Sequence, residues 1–267
     1  MISIVKVDSA QLEKEFVLFP FKLYKGCEYW VPPIISEELD SMNKVKNPVF
    51  KNAEAEFYLA KKNGITVGRI AAIVNWVEIE EQKKNKLRFG WYDTIDDVDV
   101  SKKLLEQVID FGKKRKLDFI DGPVGFSNMD KAGLLIEGYE ELNTMITWYH
   151  YPYQKKHLEQ LGFTKLAEWV EYKIKIFSAE DAPEKVKKFS KIIQKRYELK
   201  VVNFKSKKEI IPYVDKMFEL LNVTYSNLQT FVTIKQYQID FYKEKFIKYI
   251  HPDFIKCCVD KEGNLIA

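Results

Sequence analysis

The stretch Lys61-Lys62-Asn63-Gly64 separates two runs rich in β-forming residues, 56–60 and 65–75. Asn-Gly takes positive φ at both central positions of a two-residue turn, and such turns match the right-handed twist of paired strands. The stretch therefore predicts a β-hairpin, so any fold offered for this chain has to contain an antiparallel sheet. Ile70, Ala71, Ala72, Ile73 and Val74 follow one another in the second run, which predicts a strand covered on both faces. Arg69 stands in the same run. It is expected either to meet an anionic ligand or to pair with Glu56 across the hairpin.

The flanking segments predict what covers the sheet. Residues 2–7 alternate as a strand, and Ser9 is placed to cap a helix over 11–24 whose Leu12, Phe16, Phe19 and Leu23 share a face, with Pro20 expected to kink or divide it. Trp30-Val31-Pro32-Pro33 opens an extended, then polar arm to Phe50, read either as packing over one wall or as a lid over a groove. A strand over 87–92, a helix over 101–116 with Leu104, Leu105, Val108 and Ile109 on one face, and a strand over 118–120 make a parallel crossover on the sheet. Residues 148–163, WYHYPYQKKHLEQLGF, predict an aromatic strand, a helix after Pro152 with Leu158 and Leu161 inward, and Gly162 at the left-handed position that ends it. New strands are expected over 164–172 and 171–177.

This order resembles the GNAT acyltransferase superfamily. Gly122-Pro123-Val124-Gly125-Phe126-Ser127-Asn128 and Leu161-Gly162-Phe163 resemble, more narrowly, a group of bacterial two-part GNAT-like proteins. The resemblance implies a mixed, mostly antiparallel α/β (α+β) sheet flanked by helices, acetyl-CoA or another acyl-CoA as cosubstrate, and a small-molecule or lipid amine as acceptor.

At 267 residues the chain exceeds one average domain, which predicts a GNAT-like domain over 1–178 followed by a second part over 179–267. After Asp181-Ala182-Pro183 a connector helix is expected to pack on the core through Val186, Phe189, Ile192, Ile193 and Tyr197. A strand over 200–204, a helix over 206–225 and a second turn at 260–264 repeat the opening of the chain at an offset of roughly 197–199 residues. The second part thus reads as the start of a second copy, and the chain as a fragment of a longer protein.

Composition narrows the chemistry. Hydrophobic residues at 46% exclude a disordered chain, and 43 basic against 39 acidic residues leave a surplus too small to argue for a nucleic-acid partner. Cys27, Cys257 and Cys258 form no disulfide framework, so a cytoplasmic setting is expected. No run has the apolar length of a membrane span, which leaves peripheral contact only, with 241–250 as an amphipathic candidate. No Cys/His spacing suits a metal, and no nucleophile elbow or phosphate loop occurs.

In the GNAT family a Gly-rich turn before a helix binds the cofactor pyrophosphate on backbone N–H groups. The corresponding residues 93–101 hold four aspartates and no glycine, and carboxylates there cap the helix themselves and repel an anion. No cofactor-binding residue is therefore assigned. Tyr149, Tyr151 and Tyr153 stand where the family often supplies an acid for the departing thiolate, and they serve equally as core and rim packing. His150 and Asp93 are alternative bases, each with a structural reading beside it. Gly122, Pro123, Ser127 and Asn128, together with Arg69, are the expected lining of the substrate cleft. The chain is read as an acyl-CoA-dependent N-acyltransferase or as a non-catalytic GNAT-fold scaffold or ligand-binding domain, with any active copy lying beyond residue 267.

Overall fold

The hairpin organises the first part of the structure. This computed structural model describes residues 1–175, 178–247 and 249–267. β2 (Ala53–Lys62) and β3 (Ile65–Asn75) pair antiparallel through Asn63 and Gly64, which have φ of 52° and 78°. β1 (Ile2–Lys6) joins β2 and β4 (Lys86–Thr94) joins β3, both antiparallel, while β5 (Phe119–Asp121) lies parallel to the start of β4. The order β1-β2-β3-β4-β5 gives the mixed, mostly antiparallel sheet flanked by helices that the element order predicts. The chain divides into two units, Met1–Trp169 and Val170–Ala267.

Both faces of the first sheet are covered. α1 (Ala10–Leu23) and α2 (Ile35–Met42) pack Phe16, Val17 and Met42 on Phe57, Leu59, Ala71 and Ile73. On the other face α4 (Val98–Lys113) and α5 (Pro152–Gln160) bring Leu104, Val108 and Leu158 against Tyr58, Ile70 and Ala72. Leu59, Ile70 and Leu104 have no exposed surface, and such burial contributes about 1.5–3 kcal/mol per side chain. A one-turn helix, α3 (Trp76–Glu80), follows β3.

Several expectations are corrected. α1 runs through Pro20 without dividing, although proline there cannot donate to the Phe16 carbonyl. Arg69 Nη1 fills that gap with a hydrogen bond of 3.0 Å to the Phe16 carbonyl oxygen. Arg69 does not pair with Glu56. Arg69 stands opposite Leu59 on the α1 face, whereas Glu56 stands opposite Ala72, on the α4 face, and pairs with Lys6 at 2.7 Å. The polar arm contains α2, and residues 148–151 form no strand before α5.

Gly162 does end α5 at φ 88°, with Phe163 N–H bonded to the Leu158 carbonyl. The strand expected over 164–172 is absent, as is any strand over 171–175, and residues 176–177 of that expected strand lie outside the described residues. A strand needs an open ladder. The β4–β5 pairing ends at Asp121, where the chain turns away through a cis Gly122–Pro123 bond.

β4 contains a bulge. Arg69 pairs with Asp93 but Ala71 with Gly90, so β4 carries one residue more than β3 between those points, and Trp91 there has φ 48°. The extra residue reverses the alternation: Leu87 and Phe89 face α4, and so does Tyr92, while Trp91 faces α1. Asp93 is thereby delivered to the α1 face beside Arg69.

In the second unit β6 (Lys200–Asn203) pairs antiparallel with β7 (Lys256–Val259), and α7 (Lys207–Thr224) and α8 (Gln236–Phe246) lie between them in sequence. Phe204, Ile210, Val214 and Cys257 form its core. α6 (Glu184–Arg196) contains no buried residue, so the connector helix does not pack on a core as expected.

Candidate functional site

The C-terminal end of β4 carries a buried polar triad. Asp93 Oδ2 accepts from Arg69 Nε at 2.7 Å, and its Oδ1 accepts from the Tyr24 hydroxyl at 2.7 Å. All three residues are at most 5% exposed. Burial, and then the charge of Asp93, push the Tyr24 phenol well above its ordinary value, so it stays a donor. Both oxygens of Asp93 are thus engaged by buried donors.

Above this floor opens a shallow cleft with room for about one water-sized group. Trp30, Trp148, Tyr24 and Tyr149 line it, and so do the charged side chains of Glu38, on α2, and Lys131. Glu38 accepts from the Trp91 indole at 2.7 Å, which holds both the bulge and α2 in place. Burial pushes the Lys131 ammonium below its ordinary value, against the pull of Glu38 and Asp93. Lys131 makes no ion pair among the described residues. An aromatic-lined cleft with one carboxylate beyond the Arg69–Asp93 pair suits an ammonium group, and a neighbouring lysine suits an oxygen on the same molecule.

The candidates that the sequence suggests fall in different places. Arg69, Asp93 and Tyr149 line the cleft. The Tyr149 hydroxyl donates to the Tyr139 carbonyl at 3.0 Å and the Tyr153 hydroxyl to the Thr94 carbonyl at 2.7 Å, while Tyr151 stacks on Tyr153. Burial raises the phenols of Tyr149 and Tyr153. His150 is 1% exposed, accepts from Leu135 N–H at Nδ1, and is held neutral by burial, with its pKa lowered to about 4.

Gly122, Pro123, Ser127 and Asn128 build a loop and do not line the cleft. A Cβ on Gly122 would stand 2.4 Å from the Phe89 carbonyl oxygen, and Ser127 N–H donates to Asp130 at 2.9 Å. Tyr24, Glu38 and Lys131 belong to no motif in the sequence, and Trp148 opens the aromatic stretch 148–163 without standing among its candidate site residues. The one signal toward them is the aromatic arm read as a lid, whose Trp30 and Pro33 do border the cleft.

Two further clusters bear on chemistry. At the opposite end of β4, Arg88 makes a two-pronged bond to Glu78 (2.6 Å each), and Lys86 joins Glu78 (3.0 Å) and Asp121 (2.8 Å). None of the four side chains is more than 9% exposed. On the α4 face Ser101 Oγ lies 2.9 Å from His157 Nδ1, and His157 Nε2 lies 3.1 Å from Asp96. That order resembles a nucleophilic triad, but Ser101 has no exposed surface and accepts the Tyr92 hydroxyl proton at 2.7 Å, so it clamps α5 to α4.

The start of α4 does not fit a pyrophosphate. Asp97 caps the helix by accepting from Asp99 N–H at 3.0 Å and pairs with Lys62 at 3.2 Å. The donors an anion would need are met by a carboxylate, with Asp96 and Asp99 adjoining. Among the described residues no group of three or more His, Cys, Asp or Glu side chains could hold a metal ion, and no helix is long and apolar enough to cross a membrane.

No family model matches the chain. It is 27% identical over 244 residues to Protein YghO of Escherichia coli (strain K12), covering 90% of this chain and 60% of that protein. It is 26% identical over 174 residues to a bacterial ceramide synthase of Caulobacter vibrioides (strain NA1000 / CB15N), covering 64% of this chain and 45% of that protein. The chain thus spans about half the length of these relatives. Among solved structures, a predicted acetyltransferase with acetyl-CoA from Clostridium acetobutylicum aligns over 65% of this chain and 96% of its own, at 14% identity and a TM-score of 0.40. Likeness at that level is too loose to carry a conclusion. The chain resembles the GNAT acyltransferases in its element order.

Proposed function

We propose that the protein serves acyl transfer to an amine, and that its first unit binds the amine rather than the acyl-CoA. The observation that carries this reading is the contrast between the two faces of one sheet. The α1 side offers an open, aromatic-walled cleft with Glu38 and Lys131, while the helix start where a GNAT-like domain would hold pyrophosphate is capped by its own Asp97. In this reading Glu38 and the faces of Trp30 and Trp148 receive the ammonium, and Lys131 donates to a hydroxyl or anionic oxygen beside it.

The relative that is a ceramide synthase supports a long-chain amine as the acceptor. A ceramide is an amide of such an amine, whose ammonium group alone would enter the cleft, the rest of the molecule staying outside. Acyl-CoA is then the cosubstrate of the whole protein, held outside this unit.

Calorimetric titration of the 267-residue chain with a long-chain amino alcohol and, separately, with acetyl-CoA and a long-chain acyl-CoA tests the reading. Binding of the amino alcohol that is weakened by Glu38→Gln and by Trp148→Ala, with no heat from either thioester, is expected. Binding of a thioester without the amine overturns it.

A further inference from the structure

α6 presents an unusual surface. Its residues Val186, Phe189, Ile192 and Ile193, with Tyr197 just beyond, are 58%, 52%, 48%, 46% and 56% exposed. At 100° per residue these five fall on one arc of the helix. The other positions are heavily basic: Lys185, Lys187, Lys188, Lys191, Lys195 and Arg196 stand against the single acid Glu184. Glu184 is spent on Lys187 at 2.9 Å. No ion pair involves Lys188, Lys191 or Lys195 among the described residues. Lys188 and Lys195 border one edge of the apolar arc, and Lys185 and Arg196 fall within it near the two ends of the helix, over the rings of Phe189 and Tyr197, 6.0 and 5.5 Å from their centroids.

We infer that α6 is an interfacial helix that docks the protein on an anionic lipid bilayer. A solvated surface helix has no use for five large apolar groups in one stripe, and a protein partner would have to set acid both beside and within an apolar groove. An anionic bilayer supplies both at once. Its headgroups attract the lysines, and the boundary below takes the Phe189 and Ile193 side chains to a depth of one helix radius. Long lysine side chains reach the headgroups while their methylenes stay with the apolar stripe. The chemistry of α6 alone sets this role, whatever acceptor the cleft of the first unit takes.

Co-sedimentation of the full 267-residue chain with vesicles of phosphatidylcholine alone, and of phosphatidylcholine mixed with phosphatidylglycerol, tests it. Binding is expected to the mixed vesicles only, and to fall as salt is raised. Two paired substitutions, Phe189→Ala with Ile193→Ala and Lys188→Glu with Lys195→Glu, are each expected to weaken partition by about tenfold or more. All four side chains are exposed, so both variants are expected to keep the circular dichroism and melting behaviour of the parent chain. Absence of binding to anionic vesicles overturns the inference. Equal binding to both vesicle types, or binding that neither pair of substitutions alters, overturns it too. A dimer in sedimentation velocity that both pairs abolish, without vesicle binding, assigns the stripe to a second copy instead.

Discussion

The two ends of β4 make different use of charge. At its start, Glu78, Lys86, Arg88 and Asp121 form a closed group of two cations and two anions, each held by at least one opposite charge at 3.0 Å or less. At its end, Arg69, Asp93 and Tyr24 are as well satisfied, but above them Glu38 and Lys131 face an open cleft. Ionic groups buried without access can only hold the chain together, whereas groups left at a mouth are available to a ligand. The first cluster fixes where the 122–130 loop leaves the sheet, because Arg88 also donates to the Gly125 carbonyl at 3.1 Å. Lys131 follows that loop directly, so the structural cluster helps to position a lining residue of the cleft.

The largest expected effect comes from breaking the closed group. Glu78→Gln leaves Lys86 and Arg88 with a single carboxylate between them at full burial, and should lower unfolding free energy by about 3–5 kcal/mol. Urea denaturation measures it. Glu38→Gln at the open end should cost less than about 1 kcal/mol of stability yet reduce amino-alcohol affinity about tenfold, as the loss of one charge-assisted bond implies. If Glu38→Gln destabilises as much as Glu78→Gln, the distinction between a structural and a binding cluster fails.

Much of this frame was legible in the sequence because its signals are local. The Asn63-Gly64 turn, the Ser9 cap and the Gly162 helix end each depend on a few neighbouring residues. The partner of Arg69 was not, since it is set by strand parity and by a bulge at Trp91 that only the register between β3 and β4 reveals. The burial of Lys86 and Arg88 is carried by Glu78 on a one-turn helix whose sequence gives little periodicity. The missing strand over 164–172 failed for a related reason. Leu166, Trp169, Val170 and Tyr172 have strand-like composition, but they are 52–80% exposed with no ladder beside them. The cleft itself joins α1, α2, β3, β4 and the 131–149 loop, and no short pattern announces such a meeting.

Between the two ends of β4 lie two titrating groups of opposite sign. Burial raises the Asp130 carboxyl to about 6 from 3.8, with Arg88 pulling it down and Glu38 pushing it up. The folded chain therefore holds a proton that the unfolded chain has released between about pH 4 and 6, and acidification through that window stabilises the fold. His150 is lowered to about 4 from 6.5 by burial, so the unfolded chain takes up its proton first and acidification between about pH 6.5 and 4 destabilises. Each contribution is about 1–3 kcal/mol, and the two oppose one another over nearly the same range. His150→Gln should gain stability relative to the parent chain as pH falls from about 7 to about 4.5, and Asp130→Asn should lose it. Urea midpoints at the two pH values decide this, and parallel changes in all three proteins would show that neither group titrates as its surroundings require.

The smallest effect sharpens what the acid-rich start of α4 is for. Asp97 accepts the Asp99 N–H and also pairs with Lys62, which is half exposed, so the cap rather than the ion pair should account for most of its contribution. Asp97→Ala is expected to cost about 1 kcal/mol and Asp97→Ser only a few tenths, because a hydroxyl caps the same donor without the charge. The serine variant also removes one repelling carboxylate from the helix start. With Asp96 and Asp99 still beside it and no glycine from Asp93 to Ser101 to let a phosphate approach the backbone, it should gain no heat of binding with acetyl-CoA. A serine variant that does bind the thioester would mean that a single charge, rather than the shape of the turn, keeps this end of the domain closed to an anion, and the contrast with the open cleft would then be one of degree.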